Sequence, residues 1–377
     1  MRARGGREVT SIPLVDLAAQ HAAVADEVAS GWQEVLAATA FIGGRQVAAF
    51  ESEYAEFIGT QHCVGVANGT DAIEIALRAL GVGAGDECIL PANTFIATAE
   101  AVCRAGATPV LVDCADDGTY LIDTAAVEAA ITPRTRAIIP VHLYGQAAPT
   151  ERLMPLAEQI GAFVVEDAAQ SQGARRHGAS AGALGHAAAT SFYPGKNLGA
   201  YGDAGAVLTG SEQVAARMRM IRDHGSPRKY EHEVVGVNSR LDTLQAVVLS
   251  VKLRRLAGWN AARRAAAQRY DALLAGLDDV ILPRTLDGNE HVWHLYVVRV
   301  PDRDRVLKEL QAAGIGAGIH YPVPIHLTAA FAELGAAEGA FPATEQASRE
   351  LLSLPLFAEI TAGQQERVAD TLKSALR

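Results

Sequence analysis

Short apolar runs alternate with amphipathic stretches between about residues 60 and 210 of the chain. The apolar runs predict strands at 108–113, 136–145, 162–167, 187–193 and 205–210. Between several of them, stretches such as TDAIEIALRAL and PTERLMPLAEQIG have the spacing of helices. Strands that alternate with helices in this way predict an α/β fold with a mostly parallel sheet and helices on both faces. Ligands of such sheets bind beyond the carboxyl ends of the strands.

The pattern changes after about residue 239. Residues 239–276 keep helical spacing throughout, with Gly258 and Trp259 predicting a break between two helices. A strand is predicted at 291–300, a helix at 302–314, a second strand at 315–322 and then a terminal helix. We therefore predict an N-terminal segment and large α/β domain over residues 1–245. A smaller C-terminal α+β domain follows over residues 246–377.

Composition and charge exclude several classes of protein. The chain has 377 residues with a net charge of −10, which argues against nucleic acid as the main partner. No apolar run is long enough to cross a membrane, and the basic N-terminus lacks the apolar core of a signal peptide. The four cysteines have no paired CxxC spacing, so neither a metal site nor a disulfide framework is predicted. These features are typical of a cytoplasmic protein.

One lysine stands apart from the other four. Lys196 lies among glycines in SFYPGKNLGAYGDAGAV, whereas the helical segments around Lys252, Lys308 and Lys373 predict solvated helix faces. A phosphate-binding loop is excluded because Thr190 and Asn197 occupy positions where that motif needs glycine and serine or threonine. A lysine amine that forms a Schiff base fits the setting better. A plain surface amine is the alternative.

Two acidic residues end the strand predicted at 162–167. Asp167, followed by Gln170, could cap a helix that starts at Ala168, or it could pair with a protonated ring nitrogen. Such a pairing would keep pyridoxal phosphate in the pyridinium form that makes α-proton removal possible. Gln170 could then reach the phenolic oxygen of the same ring.

Four further residues are candidates for holding that coenzyme. Gly69 and Thr70 open a helix whose free N–H groups and dipole make an anion site, and the Ser191 hydroxyl could join them. Phe95 follows a Pro-Ala-Asn-Thr turn, where it could be a core aromatic or could lie flat on a ring. The sequence does not separate these two roles of Phe95.

The order of these elements resembles that of fold-type I pyridoxal-phosphate enzymes. More narrowly, NGTDA, PANTFIAT, VEDAAQSQGA and SFYPGKNLGAYGDAGAV resemble motifs of the DegT/DnrJ/EryC1/StrS nucleotide-sugar aminotransferases. The resemblance runs from about Ile12 to the C-terminus. It implies that Lys196 holds pyridoxal phosphate and moves the proton, while Asp167 pairs with the ring nitrogen. It also implies that Gln170 binds the phenolic oxygen and that Phe95 stacks on the ring.

The same resemblance implies a phosphate site and a partner subunit. Gly69, Thr70 and Ser191 would hold the phosphate, together with Asn238 from a neighbouring subunit of a homodimer. L-glutamate would be the amino donor, with pyridoxamine phosphate formed between the two halves of the reaction. The acceptor would be a keto sugar on a nucleoside diphosphate. Family members that instead remove a hydroxyl have histidine at the lysine position, so Lys196 indicates transamination.

The resemblance also favours one position on the sugar. YPGKNLGAYGD and IHYPVPIHL are more similar to enzymes that aminate C3 of a dTDP-linked 3-keto-6-deoxyhexose than to those that aminate C4 of a 4-keto sugar. The sugar-side residues would be Tyr193, His320, Tyr321 and His326. The alternative is that HYPVPIHL is only a rigid proline turn with half-buried rings.

A mixed-charge loop is the candidate for the diphosphate. The residues proposed to receive it are Arg228, Lys229 and Tyr230. The alternative is a solvated loop whose charges are balanced by nearby acids.

Two other functions are alternatives to this one. A cysteine desulfurase is disfavoured because all four cysteines lie before residue 115. A coenzyme-binding regulator without turnover is the alternative from another functional class, although every expected catalytic residue is present.

Overall fold

The computed structural model describes residues 11–377, and its core is a seven-stranded sheet. The nine strands of the first two thirds are β1 (His62–Val66), β2 (Glu87–Pro91), β3 (Thr108–Val112), β4 (Thr135–Ile138), β5 (Phe163–Asp167), β6 (Arg175–Arg176), β7 (Ala179–Ser180), β8 (Ala187–Ser191) and β9 (Gly205–Thr209). The last three are β10 (Asn289–Glu290), β11 (Tyr296–Arg299) and β12 (Leu351–Leu354).

Within residues 11–377, twelve α-helices surround these strands. The first eight are α1 (Leu17–Ala22), α2 (Ala25–Ala38), α3 (Arg45–Ile58), α4 (Gly69–Ala79), α5 (Ile96–Arg104), α6 (Thr124–Ala130), α7 (Thr150–Ile160) and α8 (Glu212–Arg222). The last four are α9 (Thr243–Leu274), α10 (Arg303–Ala312), α11 (Pro342–Glu350) and α12 (Ala362–Ala375). Short 3-10 helices cover Leu143–Gly145, Ile325–Leu327 and Ala329–Leu334.

The large sheet is mostly parallel, as predicted. Its order is β1-β9-β8-β5-β4-β2-β3, and only β9 runs against its neighbours. The predicted strands at 108–113, 162–167, 187–193 and 205–210 are confirmed as β3, β5, β8 and β9. The predicted strand at 136–145 was too long, because β4 ends at Ile138 and a 3-10 helix follows. β1 and β2 were missed, since short buried strands have no alternating pattern to detect.

The predicted break at Gly258 and Trp259 is wrong, because α9 continues through both residues for 32 residues. Gly258 is exposed, while Leu256 and Asn260 on either side of it are buried against other elements. Packing on that buried face outweighs the weak helix propensity of one glycine. The prediction for Lys252 was also wrong: it lies on α9 with only 1% of its surface exposed.

We expect Gly258→Ala to stabilise the protein. A Cβ atom built at Gly258 meets no atom within 4 Å, and the backbone there is helical. The free energy of unfolding should rise by about 0.5–1 kcal/mol, the usual difference between alanine and glycine inside a helix. Urea unfolding of the two proteins measures this. A decrease would show that the helix bends at this position.

The C-terminal part of the chain has its own two-stranded sheet and apolar core. β11 pairs antiparallel with β12, so the second strand is Leu351–Leu354, and the predicted strand at 315–322 is wrong. Residues 315–322 form only isolated bridges, such as that between Gly318 and Ser353. A buried cluster joins this sheet to α10, α12 and the C-terminal half of α9. The domain boundary at 245/246 stays a prediction, and residues 1–10 lie outside the described residues.

Residues 11–377 lack two structural features. No helix in this range is long and apolar enough to span a bilayer. This range also contains no group of three or more histidine, cysteine or acidic side chains that could hold a metal ion.

Candidate active site

The candidate residues meet at one edge of the large sheet. Asp167 ends β5 and Ser191 ends the neighbouring parallel strand β8. Because β9 runs antiparallel and its first residue, Gly205, pairs with Ser191, the loop from β8 to β9 returns to the same edge. Lys196 lies in that loop. The topology therefore brings together residues that are far apart in the sequence.

The loop that carries Lys196 is compact. The Lys196 amide donates to the Tyr193 carbonyl at 2.8 Å, and the Ala200 amide closes the loop on the Phe192 carbonyl at 2.8 Å. Burial lowers the pKa of the Lys196 amine to about 8, and the negative charge of Asp167 opposes that effect. The amine is thus closer to its neutral, nucleophilic form than an ordinary lysine is.

Asp167 is a buried carboxylate, held on both oxygens. Its Oδ2 accepts from the Thr98 hydroxyl at 2.8 Å, and its Oδ1 accepts from the Ala169 amide at 3.2 Å. Since Thr98 uses its proton on Asp167, Thr94 is the donor in the 3.0 Å contact between the two threonine hydroxyls. The alternative of a helix cap is wrong, because turns and no helix follow Asp167. A fixed carboxylate can still pair with a ring nitrogen through its free lone pairs.

Glu166 has a different and structural role. Neighbouring residues of a strand point to opposite faces, and the Glu166 carboxylate is fully buried away from Asp167. It accepts hydrogen bonds from the His142 ring at 2.7 Å and from the Gly182, Leu184 and Gly185 amides. These bonds hold the loop before β8 and leave Glu166 unavailable for chemistry.

Phe95 is not a core residue, since 52% of its surface is exposed. Its ring centroid lies 5.3 Å from that of Tyr321. The Tyr321 hydroxyl in turn accepts from the Gln170 amide at 3.1 Å, and Gln170 Oε1 accepts from the Tyr144 amide at 2.6 Å. Burial raises the pKa of the Tyr321 phenol, and the negative charge of Asp167 raises it further. One site therefore contains Phe95, Tyr321, Gln170 and Asp167.

The start of α4 fits a phosphate. Asn68 caps the helix, its side chain accepting from the Asp71 amide at 2.8 Å, and the first N–H groups of a helix have no partner inside it. A Cβ at Gly69 would lie 2.6 Å from Ser191 Cβ, so only glycine lets the helix start approach β8 this closely. A phosphorylated pyridine aldehyde fits this arrangement of three groups: the anion site at the start of α4, the half-buried Lys196 amine and the fixed Asp167 carboxylate.

The predicted sugar-side residues are placed differently from one another. Tyr193 is 59% exposed. His320 is half-buried, shares a 2.8 Å hydrogen bond with Ser353 and has its pKa lowered to about 4, first by burial and then by the Lys196 charge. His326 is fully buried, and its Nε2 lies 3.0 Å from the Glu345 carboxylate. The structure thus brings His320 to the site and places His326 in the protein interior.

The predicted diphosphate and subunit residues lie on the surface of the described chain. Arg228 pairs with Glu231 at 3.0 Å, and the Lys229 amine lies 5.1 Å from the Tyr230 ring centroid. Tyr230 is 82% exposed, and Asn238 is exposed as well. Their assigned roles stay predictions.

Sequence reasoning missed three residues of this site. Thr98 binds Asp167, and the Tyr144 hydroxyl donates to the His320 carbonyl. His294 is buried, and the Lys196 charge is the second cause, after burial, that lowers its pKa. One signal was available: Phe95 is the N-cap residue of α5, and Thr98 lies three residues later in the first turn of that helix.

Comparison with known protein families matches residues 23–373 to the DegT/DnrJ/EryC1/StrS aminotransferase family. The chain belongs to this family. Three curated relatives are each 46% identical to it. They are the "pleiotropic regulatory protein" of Geobacillus stearothermophilus (97% of this chain, 99% of the relative), the dTDP-3-amino-3,4,6-trideoxy-alpha-D-glucose transaminase of Streptomyces venezuelae (97% and 96%) and the UDP-N-acetyl-3-dehydro-alpha-D-glucosamine 3-aminotransferase of Acidithiobacillus ferrooxidans (97% and 98%).

A solved structure of the family matches almost the whole fold. It is that of S. venezuelae DesV in complex with a ketimine intermediate, 45% identical, with a TM-score of 0.95 over 97% of this chain and 99% of that one. The predicted family, fold class, enzyme class and coenzyme are confirmed. This member of the DegT/DnrJ/EryC1/StrS family is a nucleotide-sugar aminotransferase that uses pyridoxal phosphate.

The lowered pKa of Lys196 predicts how coenzyme capture depends on pH. Below pH 8 the neutral fraction of the amine should rise about tenfold per pH unit, and above its pKa it should level off. We expect the rate of covalent capture of pyridoxal phosphate by coenzyme-free protein to follow that curve. Near-visible absorbance in stopped flow measures the rate. A rate that keeps rising beyond about pH 10 would indicate an ordinary solvated lysine.

Proposed function

We propose that the protein transfers the amino group of L-glutamate to C3 of a dTDP-linked 3-keto-6-deoxyhexose. The observation that carries this proposal is the pair of relatives from S. venezuelae and A. ferrooxidans. Both are named for an amino group at position 3, although their nucleotides differ. The similarity of the Lys196 loop and of IHYPVPIHL to the C3 enzymes acting on dTDP sugars supports the choice of nucleotide.

The residues of the site suit both halves of this reaction. Pyridoxal phosphate, when bound, supplies the electron sink for α-proton removal. Lys196 would hold the coenzyme and, once released, would carry the proton, since its pKa is close to the working pH. Asp167, fixed by Thr98, would hold a proton on the ring nitrogen. Gly69, Thr70 and Ser191 would bind the phosphate, while Phe95 would stack on one face of the ring.

The remaining predicted residues would contact either the coenzyme or the substrate. Gln170 would bind the phenolic oxygen of the coenzyme, in exchange for its contact with Tyr321. Tyr193, His320 and Tyr321 would contact the sugar. Our proposal gives no direct contact to His326, because its ring is buried against Glu345. It would instead support the turn that carries His320.

Isotope transfer tests the position and the nucleotide. The protein is incubated with nitrogen-15 L-glutamate and, in parallel, a dTDP-linked 3-keto sugar, a dTDP-linked 4-keto sugar and a UDP-linked 3-keto sugar. We expect the label at C3 of the dTDP product by NMR. Label at C4, or preferential turnover of the UDP sugar, would overturn the corresponding part of the proposal. L-alanine in place of glutamate tests the donor.

We further propose a homodimer with shared sites, in which Asn238 reaches the coenzyme phosphate of the partner subunit. Exposure of Asn238 and of Arg228, Lys229 and Tyr230 in the single chain supports this. Those three would then receive the diphosphate of the substrate. The four free cysteines support a cytoplasmic location, where thiols stay reduced.

Subunit mixing tests the shared site. Lys196→Ala and Asn238→Ala are each expected to be impaired alone. If Asn238 acts in the partner, a mixed dimer contains one intact site, and random mixing restores about a quarter of wild-type activity. If Asn238 acts within its own chain, mixing restores nothing. Light scattering of the wild-type protein gives the oligomeric state.

A coenzyme-binding regulator without turnover is a second candidate for the function, and the name of the G. stearothermophilus relative favours it. It predicts coenzyme binding without turnover. The test is to add L-glutamate to protein that has captured pyridoxal phosphate. If no pyridoxamine phosphate forms even after long incubation, the result favours the regulator.

A further inference from the structure

A second lysine of the protein is buried without an acidic partner. Lys252 lies on α9, and its amine donates to Gln20 Oε1 at 2.8 Å and to the Gly199 carbonyl at 2.7 Å. It also lies 4.5 Å from the centroid of the Tyr201 ring. Within residues 11–377 no carboxylate forms an ion pair with it. Burial lowers the pKa of this amine to about 8.

Two of these three contacts are on the loop that carries Lys196. Gly199 lies at the closing end of that loop, where its backbone packs against Pro194: a Cβ at Gly199 would come within 2.3 Å of the Pro194 carbonyl oxygen. Tyr201 lies two residues further along the loop, and its amide donates to the side-chain oxygen of Gln245, also on α9, at 2.8 Å. The amine of Lys252 therefore contacts the loop from the side of α9.

A second residue of α9 contacts the same loop. Asn260 lies eight residues after Lys252, which places both on one side of the helix about two turns apart. Its Oδ1 accepts from the Asn197 side chain at 2.9 Å, and its amide nitrogen donates to the Gln172 carbonyl at 2.9 Å. Asn197 follows Lys196 directly in the chain. The helix thus holds the part of the loop that directly follows Lys196 at several points.

A purely packing role does not account for Lys252. Removing an ammonium group from water costs several kcal/mol in effect, and no carboxylate offsets that cost here. An apolar side chain would fill the same space without it. What the amine adds is a pair of charge-assisted hydrogen bonds and a cation–π contact, all directed at the Lys196 loop and at Gln20 on α1.

We propose that Lys252 is a positioning residue for Lys196. By binding the Gly199 carbonyl and the Tyr201 ring, it fixes the loop so that the reactive amine keeps its place in the site when it is not bound to the coenzyme. Through Gln20 it also ties the N-terminal helix α1 to that loop. The inference rests on the proposed assignment of Lys196.

The test compares Lys252→Met with a matched variant of the same helix. Lys252→Met keeps the length of the side chain and removes all three contacts. Leu274→Ala truncates a buried residue at the C-terminal end of α9, in an apolar cluster whose described members all lie outside the Lys196 loop. Both variants are expected to lose stability. Coenzyme capture by the free protein and kcat with saturating substrates are measured well below the unfolding temperature of each variant.

We expect Lys252→Met to lower the capture rate and kcat by about tenfold, with KM for the nucleotide sugar changed by less than about threefold. Leu274→Ala should leave all three at wild-type values. Lys252→Arg, which can still donate to Gly199 and Gln20, should recover part of the loss. Equal behaviour of Lys252→Met and Leu274→Ala would overturn the proposal, since it would show that only stability depends on Lys252.

Two further measurements keep the result decisive. If Lys252→Met does not fold, Gln20→Leu takes its place, with a smaller loss of capture rate expected and an unchanged rate overturning the proposal. Borohydride reduction and peptide mapping separate this inference from the assignment on which it rests. Label on a residue other than Lys196 refutes that assignment, whereas label on Lys196 with an unchanged capture rate refutes only the role of Lys252.

Discussion

Replacing Lys196 by alanine should reduce turnover by about 10⁴-fold or more, because one side chain would supply both covalent attachment and proton transfer, and general acid–base catalysis alone contributes typically about 10²–10⁴-fold. The variant should still bind pyridoxamine phosphate without a covalent bond, since Asp167 and the start of α4 are unchanged. Single-turnover kinetics with the nucleotide sugar measure the loss. Absorbance follows binding of the coenzyme.

The matched control is Lys308→Ala. Lys308 is an exposed lysine of α10, distant in sequence from every candidate site residue, and the variant should keep wild-type turnover. Reduction of the wild-type protein with borohydride should label Lys196 and no other lysine. Substantial activity in Lys196→Ala, or label on a different lysine, would remove the basis of the site assignment.

Asp167→Asn should lower kcat by about 100-fold, because the charge-assisted hydrogen bond to the ring nitrogen is worth about 1.5–3 kcal/mol and each 1.36 kcal/mol is a factor of ten in rate. The amide has the same shape, and its oxygen can still accept from Thr98, so the fold should be retained. Steady-state kinetics measure kcat, and thermal unfolding checks the fold.

The same variant makes a second, independent prediction. The charge of Asp167 raises the pKa of Lys196 and partly offsets the effect of burial. Removing that charge should therefore move the midpoint of coenzyme capture below pH 8. Asp279→Asn, which neutralises an exposed aspartate in a turn, is the control and should change neither quantity. A midpoint that stays in place would mean that Asp167 and Lys196 do not interact.

Much of the large domain could be predicted because each of its predicted strands is encoded by a short continuous run of residues. The runs that became β3, β5, β8 and β9 are mostly apolar, and each ends at or next to a polar residue. Lys196 could be singled out in the same way, by its glycine-rich surroundings. Asp167 was a strand-end carboxylate with two open roles, and only the absence of a following helix excluded the role of a cap.

The C-terminal part was harder because its pairing is not local. Residues 315–322 have the composition of a strand, yet β11 pairs with Leu351–Leu354 instead. Thr98 was invisible for a similar reason: its hydroxyl meets Asp167 across 69 residues of sequence. Which partner lies opposite a given residue depends on how distant elements pack, and periodicity carries no information about that.

The sequence by itself determined the family, the α/β class and the coenzyme, because these depend on residue types and their order along the chain. That Lys196 binds the coenzyme stays a prediction. Only the tertiary structure decided the environment of each side chain. A helical pattern with scattered charges predicted that Lys252 faces solvent, but α2, α3 and α12 pack around α9, and the Lys196 loop covers Lys252. Burial depends on how distant elements pack. Lys252 is therefore buried and its amine binds the Lys196 loop, although its local sequence pattern is that of an exposed helix face.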